Sequence, residues 1–406
     1  MEEILTADNC MRIVLIADVY PPLRSSGAVQ LRDLSMEFAR QGYSVTVLVA
    51  APELQNDWSI EVLNGVRIVR LKSPQTKDTG YVMRTIGEFC MPYAMLVNLR
   101  KSPLANEKWD GVVWYSPSIF FGPLVKYLKK SSNCPSYLII RDIFPEWAVD
   151  MGLMGRGLPY QFFKVIANYQ YSIADVIGVQ TSGNLSYFQR WVTKKDCRAV
   201  VLQNWLADAS DTGCAIRVSE TPLAGRTIFV YAGNMGIAQG MNILLEFVES
   251  LKERDDIGFL FVGRGSEVQR LRDYTSTRGL SNVIFFDEID PDDIPGLYAQ
   301  CHVGIVALDP RHKTHNIPGK FLSYMQSGLP VLAVINSGND LENLITSEDV
   351  GRVCTDSSVD TLLHLAKDMV NAVSTDYGMK FRCKALAYRL FSPEIAVKQI
   401  ISALKT

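Results

Sequence analysis

The chain has 406 residues, 48% of them hydrophobic, with a net charge of −2. That length favours two domains over one, and the apolar content is ample for two cores. The near-neutral, mixed charge argues against a general nucleic-acid surface, and no apolar run approaches the roughly 20 residues of a membrane span.

In chain order, residues 1–10 are acidic and lack a signal-peptide core, so a cytoplasmic location is expected. Arg12 to Ala17 is an apolar run of strand length. A loop with Pro21, Pro22, Ser25, Ser26 and Gly27 follows, then a helix closed by Gly42 and a second strand from Ser44. No GxGxxG is present, so this is not a dinucleotide fingerprint; Ser26 and Gly27 either meet an anion or form an ordinary turn. Further strands are expected at 66–71, 111–115, 136–140, 175–180 and 199–203. Strands alternating with helices argue for an α/β fold with parallel sheets. Residues 206–222 lose hydrophobicity and gain turn formers, which makes them the expected linker. A second series begins at Thr227, with strands near 227–231, 258–262, 283–286, 303–308 and 331–335. The expected domains are 1–205 and 223–390, with a helix in 391–406 packing back on the first domain.

Three loops of the second series follow strands. One is Gly233-Asn234-Met235-Gly236 with Gln239 and Gly240; the next is Gly263-Arg264-Gly265; the third runs from Asp309 through His315 to Pro318-Gly319-Lys320. In one parallel sheet all three stand along the carboxyl edge, where such sheets bind ligands. Glycine lets backbone approach a ligand, and a helix start with a lysine one turn in suits a phosphate. The acidic run Asp287 to Asp293 holds a D-x-D pattern, but Asp292 or Asp293 is expected to cap the helix starting near Ile294. The eight cysteines form no CxxC and the four histidines show no ligand spacing, so reduced thiols and no metal site are expected.

Together these features resemble the GT-B glycosyltransferases, particularly the large retaining family four, over nearly the whole chain. Ala174-Asp175-Val176-Ile177 followed by Thr181-Ser182 is similar to a family segment, as are the Gly233 to Gly240 loop, Val262-Gly263-Arg264-Gly265, and Ser323 to Val331. Arg141-Asp142-Ile143-Phe144-Pro145-Glu146-Trp147 and Pro318-Gly319-Lys320 look like WbuB-type bacterial polysaccharide enzymes, described as L-fucosamine transferases. The resemblance implies two Rossmann-like domains facing a cleft, the first holding the acceptor and the second a UDP-sugar. It further implies transfer of an N-acetyl amino-deoxy sugar, such as L-FucNAc, to a polyprenyl-diphosphate-linked saccharide in O-antigen or capsule assembly, without metal or other cofactor. The donor diphosphate would meet Gly233, Asn234, Gly236, Gln239, Gly263, Arg264, Pro318, Gly319, Lys320 and Ser323.

The departures from the family pattern are informative. Its paired glutamates would fall at 315 and 323, where this chain has His315 and Ser323; the cations of its first phosphate loop are replaced by Asn234 and Gln239. Lys320, with Arg264, becomes the expected source of positive charge, and His315 the candidate contact to the sugar or diphosphate. Asp142 and Glu146, after the strand at 136–140, are the candidate bases, with Asp18 behind them. Asp142 is alternatively a structural partner of Arg141, and in a retaining transfer the leaving phosphate itself can take the proton. Tyr81–Lys101 and Gly157–Lys164 mix aromatic, apolar and basic residues, as a peripheral inner-membrane contact requires, or as two buried helices would. Two other readings use the same fold: a nucleotide-sugar epimerase, and a non-catalytic subunit that binds nucleotide sugar.

Overall fold

The computed structural model describes residues 10–23, 25–194, 197–208, 213–236, 239–309 and 317–405. They form two compact units: the first runs to Trp205 and takes up the chain again from Pro393, and the second is Leu206–Ser392.

In the first unit the strands are β1 (Arg12–Ala17), β2 (Ser44–Ala51), β3 (Trp58–Leu63), β4 (Val66–Lys72), β5 (Gly111–Ser116), β6 (Ser136–Ile140), β7 (Val176–Val179) and β8 (Arg198–Val201). They form one sheet in the order β3-β4-β2-β1-β5-β6-β7-β8, parallel throughout except for β3, which pairs antiparallel with β4. One face is covered by α2 (Tyr81–Lys101), α3 (Gly122–Ser132), α5 (Leu158–Tyr171) and α6 (Leu185–Lys194), through Met91, Met95, Leu124, Tyr171 and Phe188. A short α4 (Glu146–Asp150) precedes α5. The other face carries α1 (Ser26–Arg40) and the C-terminal α14 (Pro393–Lys405), whose Val397, Ile400, Ile401 and Leu404 are buried with Leu31, Leu34 and Phe38. Such two-sided cover explains why β1, β5 and β6 read as unbroken apolar runs.

The second unit has β9 (Thr227–Ala232), β10 (Ile257–Val262), β11 (Val283–Phe286), β12 (Val303–Ala307), β13 (Val331–Val334) and β14 (Gly351–Cys354), all parallel in the order β11-β10-β9-β12-β13-β14. One face is covered by α7 (Met241–Ser250), α8 (Val268–Thr277) and α12 (Val359–Thr375). The other carries α9 (Ile294–Tyr298), α10 (Gly319–Ser327), α11 (Asp340–Ser347) and α13 (Met379–Phe391). Ile216 and Val218, inside the stretch expected as a linker, are buried in this core. Phe391 also belongs to the second unit, packed edge-on against Phe321, so the return to the first unit begins at Pro393.

Two strands escape the sequence pattern. β3 is largely exposed, so it lacks the apolar run of its neighbours; its turn, Asn64-Gly65, has both residues at positive φ (51° and 78°), as a tight hairpin requires. β14 has only four residues. The acidic run is also used differently from expectation. Asp290, not Asp292 or Asp293, is the capping side chain, accepting from the Asp292 N–H at 3.1 Å and starting a short 3-10 turn ahead of α9. Asp287 pairs with Arg272 at 2.9 Å.

The numbering order reverses between β1 and β5 in the first sheet and between β9 and β12 in the second. At such switch points neighbouring loops diverge and leave a crevice at the carboxyl ends. In the second unit α10 is fixed below this point by Tyr324. Its buried hydroxyl lies 3.0 Å from the Val230 carbonyl and 3.3 Å from that of Ile305, and the Ala232 N–H donates to it at 3.3 Å. The ring fits only because residue 304 is glycine: a Cβ there would stand 2.6 Å from the ring. Tyr324→Phe is expected to cost about 1–3 kcal/mol of stability, read as a lower urea midpoint at unchanged slope.

Candidate functional site

The second unit brings its glycine loops together at the switch point. The loop after β9 and the loop after β10 are joined by backbone: Gly233 N–H donates to Val262 O (2.9 Å), Met235 N–H to Arg264 O (2.7 Å) and Glu267 N–H to Met235 O (3.0 Å). Gly233 and Gly263 have φ of +129° and +143°, and a Cβ at Gly263 would run into the Gly233 carbonyl oxygen. Only glycine meets both demands. Gln239 Oε1 accepts from the Gly236 N–H at 3.0 Å and lies 3.4 Å from Asn234 Nδ2, while Tyr231 Oη donates to the Asn234 carbonyl at 2.7 Å. Asn234 and Gln239 thus brace the loop from within. Arg264 is exposed and pairs with Glu288 at 3.3 Å.

Helices α7, α8 and α10 all start in this region without a side-chain cap, at Gly240, Glu267 and Pro318. Their first N–H groups are therefore not satisfied by a capping side chain, as an anion site needs. Lys320, the second residue of α10, places its ammonium 3.3 Å from the centroid of the Tyr231 ring. A Cβ built on Gly233 would be 3.9 Å from Lys320 Cε, so the lysine lies against the first glycine loop. Lys320 Nζ is buried and has no hydrogen-bond partner among the described residues. The residue as a whole is half-buried, while its Nζ is enclosed. Burial alone pushes its pKa well below the ordinary lysine value. Ser323 turns its hydroxyl back to the Lys320 carbonyl at 3.1 Å, inside its own helix. His315 lies outside the described residues.

In the first unit, Ser25 caps α1 through the Ala28 N–H at 3.3 Å, Ser26 is exposed, and a Cβ on Gly27 would lie 3.4–3.6 Å from Val19 and Tyr115. Tyr115 Oη donates to Gln30 Oε1 at 2.8 Å, and burial pushes its pKa up to about 12. Arg141, 6% exposed, stacks on Trp205 at 4.4 Å and donates to the Leu202 carbonyl at 3.3 Å; its Nε and Nη2 have no partner among the described residues. Burial lowers its pKa, opposed by Tyr115, Tyr137 and Asp142. Asp142 is half-buried beside it. Burial also raises the pKa of Asp18 at the end of β1, against the pull of Lys77 and Arg84. The structure thus gathers Asp18, Gly27, Tyr115, Arg141 and Asp142 around the β1–β5–β6 edge. Glu146 stands apart: one carboxylate oxygen accepts from Lys164 and from Tyr160, the latter at 3.1 Å.

Tyr231, Tyr115 and Trp205 stand at these strand ends without having been singled out by the sequence pattern. Tyr231 ends the strand that enters the first glycine loop, a position that carried a signal. Tyr115 sits inside an apolar strand and carried none.

Residues 226–371, most of the second unit, match the family described as glycosyl transferases group 1. Among curated proteins, the chain is 22% identical to a protein named as the glycosyltransferase WbjE of Pseudomonas aeruginosa, over 53% of this chain and 55% of that one. It is 24% identical to the Escherichia coli K12 protein named as the colanic acid biosynthesis glycosyl transferase WcaI, over 72% of this chain and 76% of that one. The chain therefore spans about half the length of the first of these relatives. Among solved structures, Anabaena Alr3699/HepE in complex with UDP-glucose superposes with a TM-score of 0.68 at 14% identity, covering 97% of this chain and 99% of that one. The sucrose-phosphate synthase of Thermosynechococcus elongatus gives 0.70 at 15% identity, over 97% and 98%. These likenesses establish the GT-B fold, two parallel-sheet domains, as the architecture of the chain. No helix among the described residues is long and apolar enough to cross a membrane.

An enclosed ammonium without an anion destabilises the ligand-free domain. Lys320→Met, which keeps the length and removes the charge, should raise ligand-free stability by roughly 1–4 kcal/mol. The pH dependence has a definite sign. Between the depressed native value and the about 10.4 of an ordinary lysine, the unfolded chain holds one proton more than the native protein, so stability rises with pH. Urea titrations across that window should show the rise in the parent protein and a flatter profile in Lys320→Met.

Proposed function

We propose that the chain is a UDP-sugar-dependent glycosyltransferase of bacterial surface-polysaccharide assembly, moving an N-acetyl amino-deoxy sugar such as L-FucNAc to a polyprenyl-diphosphate-linked saccharide. The observation that carries the reading is the buried Lys320 ammonium, unpartnered among the described residues, lying against the Gly233 loop at an uncapped helix start. A diphosphate supplies the counter-charge that this position lacks. The names of WbjE and WcaI, and UDP-glucose bound to the HepE fold, support the same class of reaction and donor.

The chemistry then needs few parts. The acceptor hydroxyl attacks the anomeric carbon, the bond from that carbon to the diphosphate oxygen breaks, and the electron pair leaves on the diphosphate. Lys320 swings from the Tyr231 ring to that leaving group, joined by the backbone N–H groups of the glycine loops and the start of α10; Arg264 adds charge from the rim. These fixed donors do the work a metal does elsewhere, so the proposed reaction needs no cofactor. The proton of the acceptor hydroxyl goes to Asp142 or to the departing phosphate. Glu146, already held by Lys164 and Tyr160, fits a fixed structural anion better than a base. Because the acceptor is lipid-borne, the proposed place of work is the cytoplasmic face of the inner membrane.

The test is a screen of UDP-sugars against a lipid-diphosphate saccharide acceptor, with and without EDTA. One UDP-amino sugar should be transferred equally in both conditions, and Lys320→Ala should lower the rate about 100-fold or more. Epimerised donor formed without acceptor would point to an epimerase, and UDP binding without transfer to a non-catalytic subunit. Full activity in Lys320→Ala would remove the diphosphate assignment.

A further inference from the structure

The segment that follows β6 and carries Asp142 is anchored by buried charge at both ends. At one end Arg141 turns to the α1 and α14 face of the sheet, where it stacks on Trp205 and donates to the Leu202 carbonyl. At the other, Glu146 turns to the opposite face and reaches α5 and, through it, α6. One carboxylate oxygen accepts from the Tyr160 hydroxyl at 3.1 Å and from the Lys164 ammonium, and that ammonium also donates to the Tyr187 hydroxyl. Tyr160 and Lys164 stand one turn apart on α5, so both donors face the same side. The pair is enclosed: the Glu146 and Lys164 side chains are 19% and 17% exposed. Burial, with Glu146 behind it, raises the pKa of the Tyr171 hydroxyl; burial, then Tyr171 and Glu146, do the same for Tyr187. The phenols around the carboxylate therefore stay protonated.

Stability alone does not account for this clamp. A buried ion pair returns in attraction little more than its desolvation takes, and an apolar pair of similar volume holds a fold as well or better. The other Glu146 oxygen adds to the cost, because it is enclosed without a partner among the described residues. Apolar packing is already supplied: Ile143 is buried, and Phe144 meets Phe163 edge-on at 5.1 Å. What the ion pair adds is direction. Apolar contacts let a segment slide, whereas a carboxylate held by two donors fixes where its backbone sits. Asp142 lies between the two anchors, half-buried, directly after the strand that flanks β5 at the switch point. Its side chain is therefore placed by groups on both faces of the sheet.

We propose that Glu146 is a positioning residue: its clamp with Lys164, Tyr160 and Tyr187 holds the segment after β6 so that Asp142 meets the acceptor hydroxyl. Glu146 itself touches neither substrate and acts only through Asp142. The proposal rests on the transferase reading for the role of Asp142, but the clamp is tested without turnover.

The clamp is removed from the full chain in two ways. Tyr160→Phe takes away one donor and leaves the ion pair. Glu146→Gln combined with Lys164→Met removes both charges together, so no unpaired ion is left to unfold the unit. The segment's backbone bonds, such as Trp147 N–H to the Ile143 carbonyl at 3.1 Å, report its order. Hydrogen exchange over these amides should quicken about tenfold in the double variant and stay unchanged in the second unit, with calorimetric UDP affinity kept. In transfer assays kcat should fall about tenfold or more in the double variant, and less in Tyr160→Phe, with KM for the UDP-sugar unchanged. The deciding arm is Asp142→Asn. Because Glu146 acts through Asp142, the clamp variants should lower kcat no further in that background, which a merely structural role would not produce. Losses that multiply, parent kcat in the double variant, or unchanged exchange after β6 overturn the proposal. Faster exchange in a chain that neither binds UDP nor transfers sugar would support the clamp and sink the transferase reading.

Discussion

The ammonium of Lys320 has no counter-charge among the described residues, and the organisation of the second unit makes sense around that deficit. Taking a charge out of water without a partner costs several kcal/mol. The domain tolerates it because the Tyr231 ring offers a partial substitute and because everything beneath is over-determined. Tyr324 fixes α10 to β9 and β12, Gly304 makes room for its ring, and two welded glycine loops close the crevice. Asn234 and Gln239 brace the first glycine loop from within.

The first unit repeats the device with other chemistry. Arg141 is buried on Trp205 with most of its donors unpartnered among the described residues, beside Tyr115 and Asp142, again at the edge where strand order reverses. Asp18 is its acidic counterpart, a carboxyl kept towards its neutral form by burial. Each unit thus places costly polar groups at its own switch point and apolar cores on both faces of its own sheet. Such local conflicts with packing are where function is expected to sit.

Much of this architecture was legible in the sequence because parallel sheets covered on both faces write their strands as continuous apolar runs. β1, β6 and β11 have the expected bounds, and Gly328 ends α10 with a φ of +74°. β3 was not legible, since an exposed edge strand has no such run, although Asn64-Gly65 announced its hairpin. The loops after β9, β10 and β12 could be listed as three weak signals; only the strand order β10-β9-β12 makes them neighbours. Lys320 was visible as a cation at a helix start, but its enclosure, and Tyr231 as its platform, depend on packing that spacing cannot encode. The bond of the Ser323 hydroxyl to the Lys320 carbonyl, and those of Glu146 with Lys164 and Tyr160, likewise come from packing.

The central claim is that a diphosphate supplies the missing partner of Lys320. It is tested most directly by titrating UDP calorimetrically in buffers of different ionisation enthalpy. If burial lowers the ammonium's pKa and the diphosphate restores it, binding should take up protons increasingly as the pH rises through the lowered native value, and the uptake should vanish with the affinity in Lys320→Met. UDP binding without proton uptake, retained at full strength in Lys320→Met, would contradict the account.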